Sequence, residues 1–257
     1  MQFEELASGY SLLEAPVWDG SGVYFSDVLQ GGVRRWSPDR GVEDVLPKRR
    51  GIGGMCLHAD GGLVVSGRDV LHVQGGEQRV LLAGMDGVTG FNDLAADSDG
   101  RVYVGALRFK PFAGETHKPG QVWRIDGAGA AVALEGIDWP NGVGFSPDGS
   151  TMYACDYAHG TVLAGDGSVF ARSPAGLADG LAVDETGGVW VATGEGGAIA
   201  RFEPDGSLDR TVDVPADFVS SLCFGGDDMR DVYVTTMGAL LHGRSDVPGL
   251  PVSPATI

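Results

Sequence analysis

The chain has 257 residues with a formal net charge of −17, and 43% of its residues are hydrophobic. This length suits one large domain or two small ones, and the acidic balance argues against nucleic acids and anionic membranes as partners. The sequence has no apolar run of ~18 residues and no basic, apolar leader, so we predict a cytoplasmic protein that contacts no membrane.

Six short apolar strands recur along the chain, each preceded by a second apolar segment and a turn. Their first residues are 40, 39, 50, 37 and 43 positions apart. A repeat of ~40 residues with several strands per unit is typical of β-propellers. The six strands are Val23–Asp27, Leu63–Gly67, Val102–Ala106, Met152–Asp156, Val189–Thr193 and Val232–Thr236.

Turn chemistry supports antiparallel pairing within each repeat, because Asp-Gly pairs such as Asp60-Gly61 and Asp148-Gly149 favour hairpins. We therefore predict one all-β domain over residues 1–257, a six-bladed β-propeller with four antiparallel strands per blade. We expect Phe3–Leu6 to close the last blade as its outer strand. Three prolines within Pro248–Ile257 predict a loosely packed segment.

Two further features carry predictions. Residues 108–120 interrupt the third repeat, and long inserts of this kind often form lids or binding loops, so Arg108 and His117 are candidates for substrate contact. Cys56, Cys155 and Cys223 show no zinc or redox spacing and are expected to be buried structural thiols.

Polar residues occur at one register of the repeat, about ten residues before the second strands. In a propeller this register surrounds one mouth of the central channel. The residues are Glu14, Asn92, Asn141 and Asp179. Two carboxylates and two amide oxygens form a hard donor set that suits Ca²⁺, Mg²⁺ or Mn²⁺. Asn141 and Asp179 precede glycines and could be ordinary turn residues, but turn chemistry does not explain Glu14 at the same register.

Four motifs resemble the senescence marker protein/gluconolactonase/luciferin-regenerating enzyme family across essentially the whole chain. They are Glu14-Ala-Pro-Val-Trp18, Phe91-Asn-Asp93, the segment 139–149 that begins Trp-Pro-Asn-Gly, and the segment 179–192 that begins Asp-Gly-Leu. The resemblance implies a six-bladed propeller with one divalent cation, usually Ca²⁺, although Mg²⁺, Mn²⁺ or Zn²⁺ could replace it. Members typically hydrolyse lactones.

The resemblance also implies roles for individual residues. Glu14, Asn141 and Asp179 match the family's metal ligands, and Asn92 matches an asparagine that holds substrate or water. The chain departs from the pattern at Gly90, where members that act on aldonolactones tend to have arginine. Gluconolactone is therefore a less suitable substrate than a less polar lactone or ester.

The residues suggest a lactone hydrolase in which the metal polarises the carbonyl and Asp179, as ligand and base, activates water while Asn92 positions it. The expected partner is a small-molecule substrate, and the expected state is a monomer. Two alternatives remain at this point. The same site could perform aryl ester or phosphotriester hydrolysis or a biosynthetic rearrangement, or the propeller could bind a ligand without catalysis.

Overall fold

The computed structural model describes residues 1–257 and is all-β, with 22 strands in five antiparallel sheets. Two single 3₁₀ turns at Pro111–Ala113 and Tyr157–His159 are its only helical segments. None of its helical segments has the length and apolar character needed to span a bilayer.

The largest sheet has six strands and contains both ends of the repeat region, in the order β21-β22-β1-β2-β3-β4. Its strands are β1 (Glu4–Trp18), β2 (Val23–Asp27), β3 (Val33–Ser37), β4 (Gly41–Leu46), β21 (Val219–Gly225) and β22 (Asp231–Arg244).

Each of the other four sheets contains four strands that are consecutive in the chain. The second sheet has β5 (Met55–Leu57), β6 (Leu63–Val65), β7 (Val70–Gln74) and β8 (Glu77–Leu82). The third has β9 (Gly90–Ala96), β10 (Val102–Leu107), β11 (Gly120–Asp126) and β12 (Gly129–Ile137). The fourth has β13 (Pro140–Phe145), β14 (Met152–Asp156), β15 (Thr161–Ala164) and β16 (Val169–Arg172). The fifth has β17 (Leu181–Val183), β18 (Val189–Ala192), β19 (Ala198–Phe202) and β20 (Leu208–Asp213).

The prediction of six four-stranded blades was wrong, because the propeller has five sheets. The cause is the length of β1 and β22, which have 15 and 14 residues. The first part of β1 pairs with β22, where Glu4 faces His242, and its last part pairs with β2, where Trp18 faces Val23. The first and last sequence repeats therefore share one continuous sheet.

The inner strands form a closed ring around the channel, in which β1 contacts β5 and β21, and β9, β13 and β17 complete the circle. Glycine allows these strands to approach closely. A Cβ atom at Gly142 would lie 2.5 Å from the backbone nitrogen of Leu181 on the next sheet. The ring brings the starts of all inner strands to one end of the channel.

Apolar side chains fill the wedges between neighbouring sheets. Trp190 of the fifth sheet is fully buried and packs edge-on against Phe224 of the six-stranded sheet, with ring centroids 5.6 Å apart. Cys56 and Phe91 share another cluster between the second and third sheets. Each fully buried aliphatic or aromatic side chain contributes about 1.5–3 kcal/mol to folding, so these wedges hold the sheets in place.

The segment after β22 is well packed, so the prediction of a loose end was wrong. The amide of Leu250 donates to the Val183 carbonyl at 3.1 Å, and the amide of Ala255 donates to the Leu57 carbonyl at 2.8 Å. Ala255 is fully buried. This segment crosses the channel end opposite the candidate site and ties the fifth sheet to the second.

Candidate functional site

A cavity of about 900 Å³ opens at the channel end where the inner strands begin. Glu14, Asn92, Asn141 and Asp179 all line it, although they span residues 14 to 179 of the sequence. Glu14, Asn141 and Asp179 are buried and Asn92 is half-buried. The structure thus brings the four residues from this register into one place.

The strand pairing is irregular beside Glu14 and Asn141, and this irregularity directs their side chains into the cavity. The register between β1 and β2 shifts between Glu14 and Val17, and the register between β13 and β14 shifts between Pro140 and Val143. A bulge of this kind re-aims a side chain that regular alternation would direct elsewhere. Ala15 adopts a left-handed φ of 53°, a conformation that normally favours glycine.

Two carboxylate oxygens in the site have no hydrogen-bond partner. Oε2 of Glu14 and Oδ1 of Asp179 are both buried and unsatisfied. The pKa of Glu14 is raised well above its usual range, mainly by burial and to a lesser extent by repulsion from Asp179 and Asp93. The pKa of Asp179 is raised in the same way, mainly by burial and to a lesser extent by repulsion from Asp93 and Glu195. Such a pair is costly unless something positively charged compensates it.

Asp93 adds a third carboxyl group near the site, although it lines the cavity at the opposite end of the channel. Its carboxyl group accepts a 2.7 Å hydrogen bond from the Leu94 amide. Burial raises the pKa of Asp93 to about 7.

Asn92 is held in place by its neighbours. Its Nδ2 donates to the Pro140 carbonyl at 3.0 Å. A Cβ atom at Gly53 would overlap Oδ1 of Asn92, so the glycine makes room for this amide. The Asn92 side chain therefore has a defined orientation beside the two carboxylates.

The donor set consists of two carboxylates and neighbouring amide oxygens. No group of three or more His, Cys, Asp or Glu side chains is arranged to hold a metal ion. Asn141 adds an amide oxygen to the two carboxylates of Glu14 and Asp179. The unpaired oxygens of Glu14 and Asp179 fit a hard divalent cation, since such ions prefer carboxylate and carbonyl oxygens.

Aromatic and apolar side chains form the cavity wall. Trp139 and Tyr157 both line it, and their rings pack 4.5 Å apart. Phe112, on the insert, also lines it and is 70% exposed. Burial, followed by repulsion from Asp179, raises the pKa of Tyr157, so its hydroxyl stays protonated.

Arg108 and His117, the insert residues predicted to contact substrate, do not line the cavity. Arg108 is exposed. His117 is also exposed and packs against Phe109 and Trp139, with ring centroids 4.7 Å and 5.3 Å away. The insert instead contributes residues 110–113 to the cavity.

Sequence reasoning missed four charged side chains and one tyrosine of the wall. In an antiparallel hairpin, the second strand ends where the first begins, so the loops after β2, β6, β10, β14 and β18 surround the same mouth. Applying the repeat register to these loops would have identified most of them. The missed residues are Arg68, Lys110, Tyr157, Glu195 and Asp217.

Comparison with known proteins identifies the family. Residues 12–238 match the SMP-30/Gluconolactonase/LRE-like region. The chain belongs to this family. It is 34% identical over 243 residues to pentonolactonase XacC of Haloferax volcanii, covering 88% of this chain and 81% of that protein. It is 29% identical to 6-deoxy-6-sulfogluconolactonase of Pseudomonas putida, covering 87% of this chain and 82% of that protein.

A solved structure shares the same architecture. The calcium-binding protein regucalcin of Agrobacterium tumefaciens superposes with a TM-score of 0.82 over 98% of this chain and 96% of that chain. The two sequences are 20% identical, so this likeness concerns the β-propeller fold alone.

Proposed function

We propose that this protein is a metal-dependent lactonase whose substrate is a small molecule that enters the cavity above Glu14 and Asp179. The observation that carries the proposal is the pair of buried, unpaired carboxylate oxygens at the deep end of a cavity of about 900 Å³. The lactonase activity in the names of two relatives supports the reaction class.

Glu14, Asn141 and Asp179 would hold one divalent cation. Ca²⁺ is the preferred candidate because the motifs of the sequence resemble a family that usually binds it and because carboxylate and amide oxygens suit it, and Mg²⁺, Mn²⁺ and Zn²⁺ are the alternatives to test. When bound, such a cation polarises the lactone carbonyl and compensates the buried negative charge.

Asp179 would accept the proton from the attacking water. It lies in the cavity and has a buried oxygen with no hydrogen-bond partner, which is free to accept a proton from a neighbouring water. Asn92, fixed by its hydrogen bond to Pro140, would orient the water or the substrate.

The substrate is proposed to differ from gluconolactone at the position beside Gly90. A Cβ atom there would meet only the Gly67 carbonyl oxygen, 3.6 Å away, so this part of the cavity is open. No side chain at this position can engage the ring hydroxyls of a sugar lactone.

Hydrolysis of a lactone and ester panel by metal-stripped protein tests the proposal. Wild type and Asp179→Asn are assayed alone and with Ca²⁺, Mg²⁺, Mn²⁺ or Zn²⁺. Asp166→Asn is the matched control, since Asp166 is an exposed carboxylate in a turn. We expect metal-dependent ring opening in wild type and control but not in Asp179→Asn. A metal that stabilises the fold without hydrolysis of any panel member would contradict the proposal and favour a binding role or different chemistry.

A further inference from the structure

Most arginines of this acidic chain are neutralised by carboxylates. Eight form ion pairs, namely Arg34, Arg35, Arg40, Arg101, Arg124, Arg201, Arg210 and Arg244. Arg68 and Lys110 differ from these. Both line the cavity, both are exposed, and neither side chain takes part in an ion pair or hydrogen bond within the chain.

The carboxylates nearest to these two cations in sequence are engaged by backbone amides. Asp69 accepts a 2.7 Å hydrogen bond from the Gly84 amide, and Glu115 accepts a 3.0 Å hydrogen bond from the Lys110 amide. Neither carboxylate forms an ion pair with Arg68 or Lys110, so the guanidinium and the ammonium are unpaired within the chain.

Backbone hydrogen bonds place Arg68 and Lys110 on the same side of the mouth. Gly67, which precedes Arg68, exchanges hydrogen bonds of 2.6 and 3.2 Å with Phe91. The Thr89 hydroxyl donates to the carbonyl of Phe109, the residue before Lys110, at 2.6 Å. Both cations thus flank the short segment 89–91, directly beside the open space at Gly90.

The opposite side of the mouth is acidic. Glu195 and Asp217 line it, and the backbone bridge between Gly194 and Val219 holds their two loops together. An anionic group that enters the cavity is repelled by the acidic side and attracted to the side of Arg68 and Lys110. The charges around the mouth therefore favour an anionic ligand and also fix its orientation.

The cavity has room for more than a lactone ring. Its volume of about 900 Å³ lies near the upper end of the range for sites that hold drug-sized ligands. A ring bound at Glu14 and Asp179 leaves space above it for a substituent that extends towards Arg68 and Lys110.

We propose that the substrate is a lactone with an anionic substituent, such as a carboxylate or sulfonate, and that Arg68 and Lys110 bind that substituent. This inference rests on the proposed lactonase function. The guanidinium offers a planar fork for the anion and the ammonium a compact charge, so the two act together on the same group.

Two γ-lactones that differ only in a hydroxymethyl or a carboxylate substituent test this inference. The ratio of kcat/KM for the anionic and neutral lactones is measured for wild type, Arg68→Gln, Lys110→Gln and the double variant. Arg172→Gln is the matched control, because Arg172 is exposed, unpaired and absent from the cavity. We expect wild type to prefer the anionic lactone about tenfold, the double variant to lose this preference, and added salt to weaken it.

A wild-type ratio near one, or an equal loss for both lactones in the double variant, would overturn the inference while leaving the lactonase function intact. Loss of the preference in Arg172→Gln would also overturn it. If neither lactone is opened, the proposed function fails instead. Calorimetric binding of the two ring-opened acids then decides the inference, and equal affinities for the dicarboxylate and the monocarboxylate would reject it.

Discussion

Two aspartates on either side of β17 are equally buried but have opposite environments. Asp179 is 2% exposed and Asp184 is 0% exposed. Asp184 accepts hydrogen bonds from the amides of Thr186 and Gly188, from Nε1 of Trp190 at 2.9 Å and from Nε of Arg201 at 2.8 Å. Oδ1 of Asp179 accepts none.

The pKa values of the two carboxyl groups shift in opposite directions as a result. Burial alone would raise the pKa of Asp184, but hydrogen bonds from Thr186, Trp190 and Arg201 lower it. Burial and nearby carboxylates raise the pKa of Asp179, and no hydrogen bond opposes them. Burial therefore does not distinguish the two carboxylates, whereas the lack of hydrogen-bond partners does and makes Asp179 the candidate for a functional role.

Replacement of Asp179 should have the largest effect on activity. We expect Asp179→Asn to lower kcat/KM by on the order of 10³-fold, because it removes the proposed general base and a proposed charged metal ligand. The same change should stabilise the metal-free protein by removing a buried, unpaired charge. Kinetics with metal and thermal unfolding without it measure the two effects. Retention of activity within tenfold would place the base elsewhere.

Replacement of Asp184 should instead affect stability. We expect Asp184→Asn to lower the unfolding free energy by about 3 kcal/mol, since Arg201 loses its buried partner but keeps Glu203 and Asp209. Urea unfolding measures this loss, and kcat/KM of the folded protein should stay at the wild-type value. If Asp184→Asn is as stable as wild type, the hydrogen bonds and ion pair of Asp184 do not contribute to the unfolding free energy, and the two aspartates do not differ in their effect on stability.

The pH dependence of metal-free stability tests the third carboxyl group, Asp93. Its pKa of about 7 in the folded protein exceeds its ordinary value of 3.8. Its contribution to stability is therefore complete below pH 3.8 and is lost as the pH rises through about 7. The pKa values of Glu14 and Asp179 are shifted in the same direction.

We accordingly expect the stability of Asp93→Asn relative to wild type to rise by roughly 4 kcal/mol as the pH increases from 3.8 to about 7. Unfolding of the two metal-free proteins in parallel isolates the Asp93 contribution. Parallel pH profiles would mean that Asp93 titrates normally.

The smallest effect is expected from a change beside Asn92. The added Cβ of Gly53→Ala would displace the Asn92 side chain, which should lower kcat/KM about tenfold, as expected for a lost positioning contact, with little change in unfolding free energy. Gly127→Ala is the control, because its Cβ would enter open space. Equal kinetics in the two variants would remove Asn92 from the proposed positioning role.

Local chemistry made much of the fold predictable from the sequence. Asp60-Gly61 and Asp148-Gly149 lie in turns between consecutive paired strands, as their turn preferences require. The sheet count was not predictable in this way, because it depends on pairing between β1 and β22 at opposite ends of the sequence. The packing of residues 245–257 was missed because the prediction followed the prolines alone. The amides of Leu250, Ala255 and Thr256 form the hydrogen bonds that hold this segment against the sheets.

The candidate site was predictable only in part. Glu14 and Asn141 share a register, and the repeat alone brings them together. Arg68 and Glu195 lie in the loops after β6 and β18, where the same repeat applies, but no turn or ligand motif distinguishes them, so they were missed. Loop geometry also decides that Phe112 rather than His117 lines the cavity. Oδ1 of Asp179 is unpaired because no neighbouring group donates a hydrogen bond to it. No sequence pattern predicts this, because it depends on the surroundings in the folded protein.

The pairing of β1 with β22 has a consequence for synthesis of the chain. Glu4 and His242 are 238 residues apart and hydrogen-bonded to each other. At about 5–20 residues per second, translation delays this pairing by many seconds, during which the first part of β1 has no partner. Glu4 and Glu5 place negative charge on this unpaired part of β1, which disfavours association with other nascent chains. Glu14 on β1 and Met237 on β22 both line the cavity, so the complete site can form only after β22 has been synthesised.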